Sequence, residues 1–180
     1  MTNVSRFAYA DPPYIGQARK HYSHDERCAE VDHVALIRGL THYDGWALSL
    51  SSPSLEEIMH ICRREVGQDV VRVGGWLKPF ASFKPGVNPG YTWEPVVFVP
   101  GPRKRPRTEP TTRDWVEAED IDAVKANITL KRGLAGAKPE SFCRWLPDLL
   151  GMTPADSFDD LFPGTGVVTR VWEQWKQEHA

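Results

Sequence analysis

Short apolar runs that alternate with stretches of helical periodicity constrain this chain more than any other feature. Val4–Ala10, Trp46–Ser51, Asp69–Trp76, Glu94–Pro100 and Ser157–Phe162 each read as a strand bounded by turn formers. Between them apolar residues recur at helical spacing: Val34, Ile37 and Leu40; then Leu55, Ile58, Met59, Cys62 and Val66 behind a Ser54/Glu57 capping box. Phe142, Trp145, Leu146, Leu149 and Leu150 mark a further helix, which Pro147 is expected to kink or divide, and Val168, Val171, Trp172 and Trp175 mark a closing one. Strands separated by helices build a mostly parallel sheet covered on both faces. The expectation is an α/β fold with about five strands.

A length of 180 residues suits one domain, 1–180, with a real core. The net charge of −2 excludes wholesale polyanion binding, so a nucleic-acid contact has to come from a local patch. The candidate patch is "GPRKRPRTEPTTRD", 101–114, read as a basic flexible loop. Arg103, Lys104, Arg105 and Arg107 either form a solvated surface or meet phosphates, as Lys78 and Lys84 could. Cys28, Cys62 and Cys143 are widely spaced and hold no C-x-x-C pair, the pattern of reduced thiols in a cytoplasmic protein. No basic leader precedes an apolar stretch, and no apolar run reaches about 18 residues, so no membrane partner is expected. His21 and His24, with Asp25 and Cys28 nearby, have a spacing that metal sites use; no second ligand pair follows, and no metal is expected.

The first strand ends abruptly in "DPPY", Asp11 to Tyr14. Two prolines cannot donate to a sheet ladder, so polar groups gather just beyond the carboxyl end of that strand. One account is an aspartate that caps a proline turn. The other is chemical: the Asp11 carboxylate and the Pro12 carbonyl can each accept a hydrogen bond from an exocyclic amino group. Such bonds localise and orient a lone pair that is otherwise delocalised into a base. Tyr14 offers a flat face on which an extruded base stacks. "FPGTG", Phe162 to Gly166, is a glycine turn between strand and helix. It either reverses the chain or lets the backbone and a helix amino terminus approach a ligand. It is no P-loop, because no Gly-Lys-Ser/Thr follows. In open α/β sheets ligands sit beyond the carboxyl ends of strands, where strand order reverses. Both loops would share one crevice if their strands lay side by side.

"DPPY", "KPESF" from Lys138 to Phe142 and "DLFPGTG" from Asp160 to Gly166 resemble the catalytic, helix-entry and cofactor motifs of amino-group DNA methyltransferases. Their order, with the catalytic loop first, is similar to the permuted beta class. "GGWLKP" and "GYTWEPVVFV" look like the strand pair of that family, so the resemblance spans nearly the whole chain. Messenger-RNA adenine methyltransferases share the order and usually carry tryptophan where Tyr14 stands.

The resemblance implies a Rossmann-like methyltransferase fold and methyl transfer from S-adenosylmethionine to the N6 of a flipped adenine in DNA, or in RNA. Asp11, Pro12, Pro13 and Tyr14 would hold the base. Ala10, Asp11, Phe162, Gly164, Thr165 and Gly166 would line the cofactor site, with Asp160 near its amino-acid end and Lys138 reaching its carboxylate. The family's ribose-binding acid has no counterpart on a following strand; only Glu173 and Glu178 are at hand, and the sheet reads as truncated. A homodimer or partner subunit would compensate, and a catalytically silent nucleic-acid-binding subunit is the alternative.

Overall fold

The computed structural model describes residues 4–13, 31–82, 87–118 and 138–180. In chain order the elements are β1 (Arg6–Ala10), α1 (His33–Leu40), β2 (Gly45–Ser49), a short 3₁₀ turn (Ser52–Ser54) and α2 (Leu55–Glu65). β3 (Arg72–Ser82), β4 (Tyr91–Val99), β5 (Trp115–Glu117), α3 (Glu140–Leu150), β6 (Ser157–Asp160) and α4 (Val167–His179) follow.

The six strands form one sheet in the order β5-β3-β4-β2-β1-β6. β1 pairs in parallel with both β2 and β6, and β3 with β5, while β4 runs antiparallel to its neighbours β2 and β3. Five strands therefore share one direction and β4 alone opposes them, which is the mostly parallel α/β sheet that the alternating sequence predicts.

Side chains alternate across β1 as a pleated strand requires. Phe7 and Tyr9 enter a core with Phe142, Leu146 and Leu150 of α3 and Val171, Trp172 and Trp175 of α4. Ala8 and Ala10 face the opposite core with Ile37 and Leu40 of α1 and Ile58 and Cys62 of α2. β1 is thus apolar on both sides for a physical reason: helices cover both faces. Among the described residues no helix is long and apolar enough to cross a membrane.

Several details differ from the sequence expectation. The sheet has a sixth strand, β5, which holds three residues and is too short to show a period; it is fixed by Gly75 N–H to Asp114 O at 3.0 Å and Ala118 N–H to Leu77 O at 3.2 Å. β3 runs on through Leu77–Ser82, the start of the stretch "LKPFASFKPGVNPGY", 77–91, whose prolines and glycines suggest a loop. Pro79 is tolerated because it falls in a register irregularity between Leu77 and Ser82, beyond the residues that pair with β5. Pro147 does not divide α3, which runs unbroken to a left-handed Gly151 cap. Burial of Phe142, Leu146, Leu149 and Leu150 outweighs the missing N–H in the helix's last turn. Ser54 makes no capping bond, since its backbone is already helical and its hydroxyl pairs with Ser51 Oγ at 2.8 Å.

Candidate functional site

β1 lies between β2 and β6, and α1, the helix between β1 and β2, packs on one face of the sheet while α4, which follows β6, packs on the other. That reversal opens a crevice beyond the carboxyl ends of the strands. Tyr9 is in register with Asp160, and Leu161 N–H donates to Tyr9 O at 2.9 Å, so the Asp11–Pro13 loop and the Leu161–Gly166 loop leave the sheet side by side. Beneath them Tyr9 Oη and Ser49 Oγ share a buried hydrogen bond of 2.8 Å.

Asp11 is met by Lys138, whose Nζ lies 3.0 Å from Oδ1 and 3.0 Å from Oδ2. Lys138 is itself buried and reaches Glu94 Oε2 at 3.4 Å, and the other oxygen of Glu94 is held by Lys78. Two cations and two anions thus alternate from β3 through β4 to the amino end of α3 and the end of β1. Trp76 is their apolar floor: the Lys78 and Lys138 ammonium groups sit 5.0 and 5.5 Å from its ring centre, and Phe142 is 5.8 Å from Lys138. The Trp76 indole N–H is buried without an acceptor among the described residues. Asp11 keeps 23% of its side chain exposed, yet burial is the largest influence on it and pushes its carboxyl above the usual range. Lys138 opposes that push, and Glu94 adds to it.

Asp160 closes the other side. Its Oδ2 accepts from Thr169 Oγ1 at 3.3 Å, whereas Oδ1 is buried with no hydrogen-bond partner among the described residues. Burial raises its pKa, and the charge of Asp11 adds to the rise. A buried carboxylate oxygen without a donor is costly, and calls for a cationic or hydrogen-bonding group beside it. The loop that follows turns twice through left-handed backbone, Gly164 at φ 47° and Gly166 at φ 72°, and Gly166 opens α4 without a side-chain cap. The first N–H groups of a thirteen-residue helix are therefore left for another partner.

The residues singled out from sequence fall into three groups. Ala10, Asp11, Pro12, Pro13, Lys138, Asp160, Phe162, Gly164, Thr165 and Gly166 lie on the adjoining ends of β1 and β6 or the start of α3. Lys78 joins them through its ion pair with Glu94, and its side chain is 12% exposed. In the basic segment Arg103 is bound to the buried Asp156, and Arg105 to Pro110 O and Thr112, while Lys104 and Arg107 are exposed. Tyr14, Lys84, His21, His24, Asp25 and Cys28 lie outside the described residues; among the described ones no cluster of His, Cys, Asp or Glu could hold a metal ion. Sequence reasoning missed Glu94. Its only signal is a lone acid inside the apolar run of β4, on the face it shares with Trp76 across the ladder.

Comparison with solved structures gives the same architecture. The structure titled M1.HpyAVI–SAM complex superposes with a TM-score of 0.59 at 14% identity, covering 96% of this chain and 80% of that one. M1.HpyAVI alone gives 0.56 at 10% identity, covering 96% and 77%. PvuII DNA methyltransferase, described as cytosine-N4-specific, gives 0.53 at 12% identity, covering 97% and 86%. At these identities the likeness is one of fold. No family model and no curated protein matches the sequence.

Proposed function

We propose that this chain is an S-adenosylmethionine-dependent methyltransferase that modifies the exocyclic N6 amino group of adenine in DNA, with the target base extruded toward Asp11. One observation carries the reading: β1 and β6 are adjacent, so the Asp11–Pro12 acceptors and the Asp160–Gly166 loop share one crevice. The fold it shares with PvuII DNA methyltransferase and with the M1.HpyAVI–SAM complex supports the coarser part of the reading, a DNA methyltransferase that uses S-adenosylmethionine.

The residues present fit the cofactor. The unpartnered Asp160 Oδ1 suits the cationic amino group of its methionine moiety, and the glycine turn at 164–166 lets a bulky ligand approach the backbone and the start of α4. When bound, S-adenosylmethionine supplies an electrophilic methyl group on a positively charged sulfur. Asp11 and the Pro12 carbonyl would accept hydrogen bonds from the target amino group and hold its lone pair in line. The raised pKa of Asp11 also suits it to take up the proton that the nitrogen releases. Tyr14 is assigned the stacking face for the base, following the family resemblance.

The test is to incubate DNA and RNA separately with the protein and isotopically labelled S-adenosylmethionine, then digest them and weigh the nucleosides. Labelled N6-methyladenine from DNA, lost in Asp11→Ala with the fold intact, is the expected result. N4-methylcytosine would move the target base, and a product from RNA alone would move the substrate. No labelled nucleoside from either polymer would sink the proposal.

A further inference from the structure

Resemblance to the methyltransferases assigns Lys138 to the cofactor's carboxylate, but the geometry gives this side chain other work. Its ammonium lies within 3.0 Å of both oxygens of Asp11 and 3.4 Å from Glu94, with 4% of the side chain exposed. Trp76 and Phe142 flank it with ring faces at 5.5 and 5.8 Å. Glu94 is in turn tied to Lys78, so its position on β4 is fixed from both sides. We propose that Lys138 is a positioning residue for Asp11, held on that carboxylate by Glu94, and that it contributes to methyl transfer through Asp11 rather than by binding the cofactor.

The physical argument is one of charge and direction. A carboxylate beyond the end of β1 has several rotamers, and only one presents an oxygen along the line an incoming amino group needs. A buried cation that touches both oxygens removes that freedom. It also favours the ionised, acceptor form of Asp11 against burial and Glu94, which both favour the protonated form. Glu94 gives the ammonium buried against Trp76 and Phe142 a second anion and so helps to hold it in place. With Glu94 and Lys78 present the charges around Asp11 alternate, and each ion has an oppositely charged neighbour.

The inference rests on the proposed role of Asp11 in methyl transfer, and the two can be separated. Lys138→Met keeps the length of the side chain and removes its charge. The expected result is a fall in kcat of about tenfold or more, with the dissociation constant for S-adenosylmethionine, measured calorimetrically, within about threefold of the parent. Glu94→Gln should follow the same split more weakly, and Glu94→Asp should recover part of the loss. A dissociation constant raised by about tenfold with kcat preserved would return Lys138 to the cofactor and overturn the proposal. A second readout needs no activity: in protein carrying ¹³C-labelled aspartate, the Asp11 carboxyl titrates at higher pH in Lys138→Met than in the parent. An unchanged midpoint overturns the proposal. If the parent transfers no methyl group, the proposed function fails, and this titration alone decides the Lys138–Asp11 coupling. Should Lys138→Met fail to fold, Lys138→Gln and Glu94→Gln take its place under the same criteria.

Discussion

The Arg103 guanidinium closes on Asp156 across 53 residues, with nitrogen atoms 2.6 Å from Oδ2 and 2.5 Å from Oδ1. Ser5 N–H at 2.8 Å and Thr153 N–H at 2.7 Å complete the shell of a carboxylate whose side chain has no exposed surface. Burial alone would raise the Asp156 pKa, but these donors outweigh it and hold the carboxyl below its usual range. Because the folded pKa is the lower one, the stabilisation is present above about pH 4 and is lost as pH falls through the folded value. Arg103→Ala should therefore destabilise the protein by about 3 kcal/mol at pH 7, read from urea midpoints. The gap between parent and variant should narrow as the pH falls below about 4. A constant gap over that range would mean that Asp156 is not the group responsible.

That pair also shows where sequence reading stops. The end of β1 was legible because its evidence is local: apolar residues, then Asp11 and two prolines that cannot continue a ladder. The glycine turn after β6 was legible for the same reason, and the alternation of strands and helices fixed the fold class. Arg103 read as either solvated surface or a phosphate contact because four basic residues crowd five positions, 103–107, and nothing nearby in sequence announces Asp156. Glu94 and Lys138 are 44 residues apart, so their contact depends on β4 lying where the sheet puts it. Pro147 was misread, and the three residues of β5 were left unassigned, because burial and pairing with distant strands overrode local propensity.

Asp160 is expected to separate stability from ligand binding. Its carboxyl is pushed up by burial, with Asp11 adding to the rise, so folding favours its protonated form and the ionised form at neutral pH is a strain on the apoprotein. Asp160→Asn removes that charge while keeping the shape. In the absence of ligand the variant should melt no lower than the parent, and its stability should vary less as the pH rises above about 4. Its affinity for S-adenosylmethionine should fall by about tenfold or more, since a charged partner for the cofactor's amine is lost. Calorimetry that finds parental affinity in Asp160→Asn would remove this residue from the site.

Phe7 tests how tightly the sheet is closed at its amino end. The ring is fully buried between two glycines: a Cβ on Gly45 or on Gly101 would lie 2.7 Å from its Cε1. Neither neighbour can retreat easily, because Gly101 N–H donates to Leu150 O at 2.8 Å and a Gly45 Cβ would also meet Gly101 N at 2.8 Å. Gly45→Ala and Gly101→Ala should each cost about 1–3 kcal/mol in chemical unfolding, the usual range for overpacking a closed core. Adding Phe7→Leu should recover part of that loss in either variant. Full additivity of the two substitutions would show that the methyl group and the ring do not compete for the same space.

Lys104 and Arg107 separate a nucleic-acid surface from a structural one within the same basic segment. Arg103 and Arg105 are tied to Asp156, Pro110 and Thr112, whereas Lys104 and Arg107 are exposed. An exposed cation that contacts a phosphate releases a counterion when it binds, and its removal lowers the slope of log affinity against log salt by about one. The double variant Lys104→Ala/Arg107→Ala should therefore bind a DNA duplex more weakly at low salt, with a slope smaller by about two, and should melt within about 2 °C of the parent. Arg103→Ala should do the reverse, lowering the melting temperature while leaving the slope of the folded protein unchanged at low temperature. A duplex titration in which the double variant keeps the parent's salt slope would place the phosphate contacts elsewhere on the molecule.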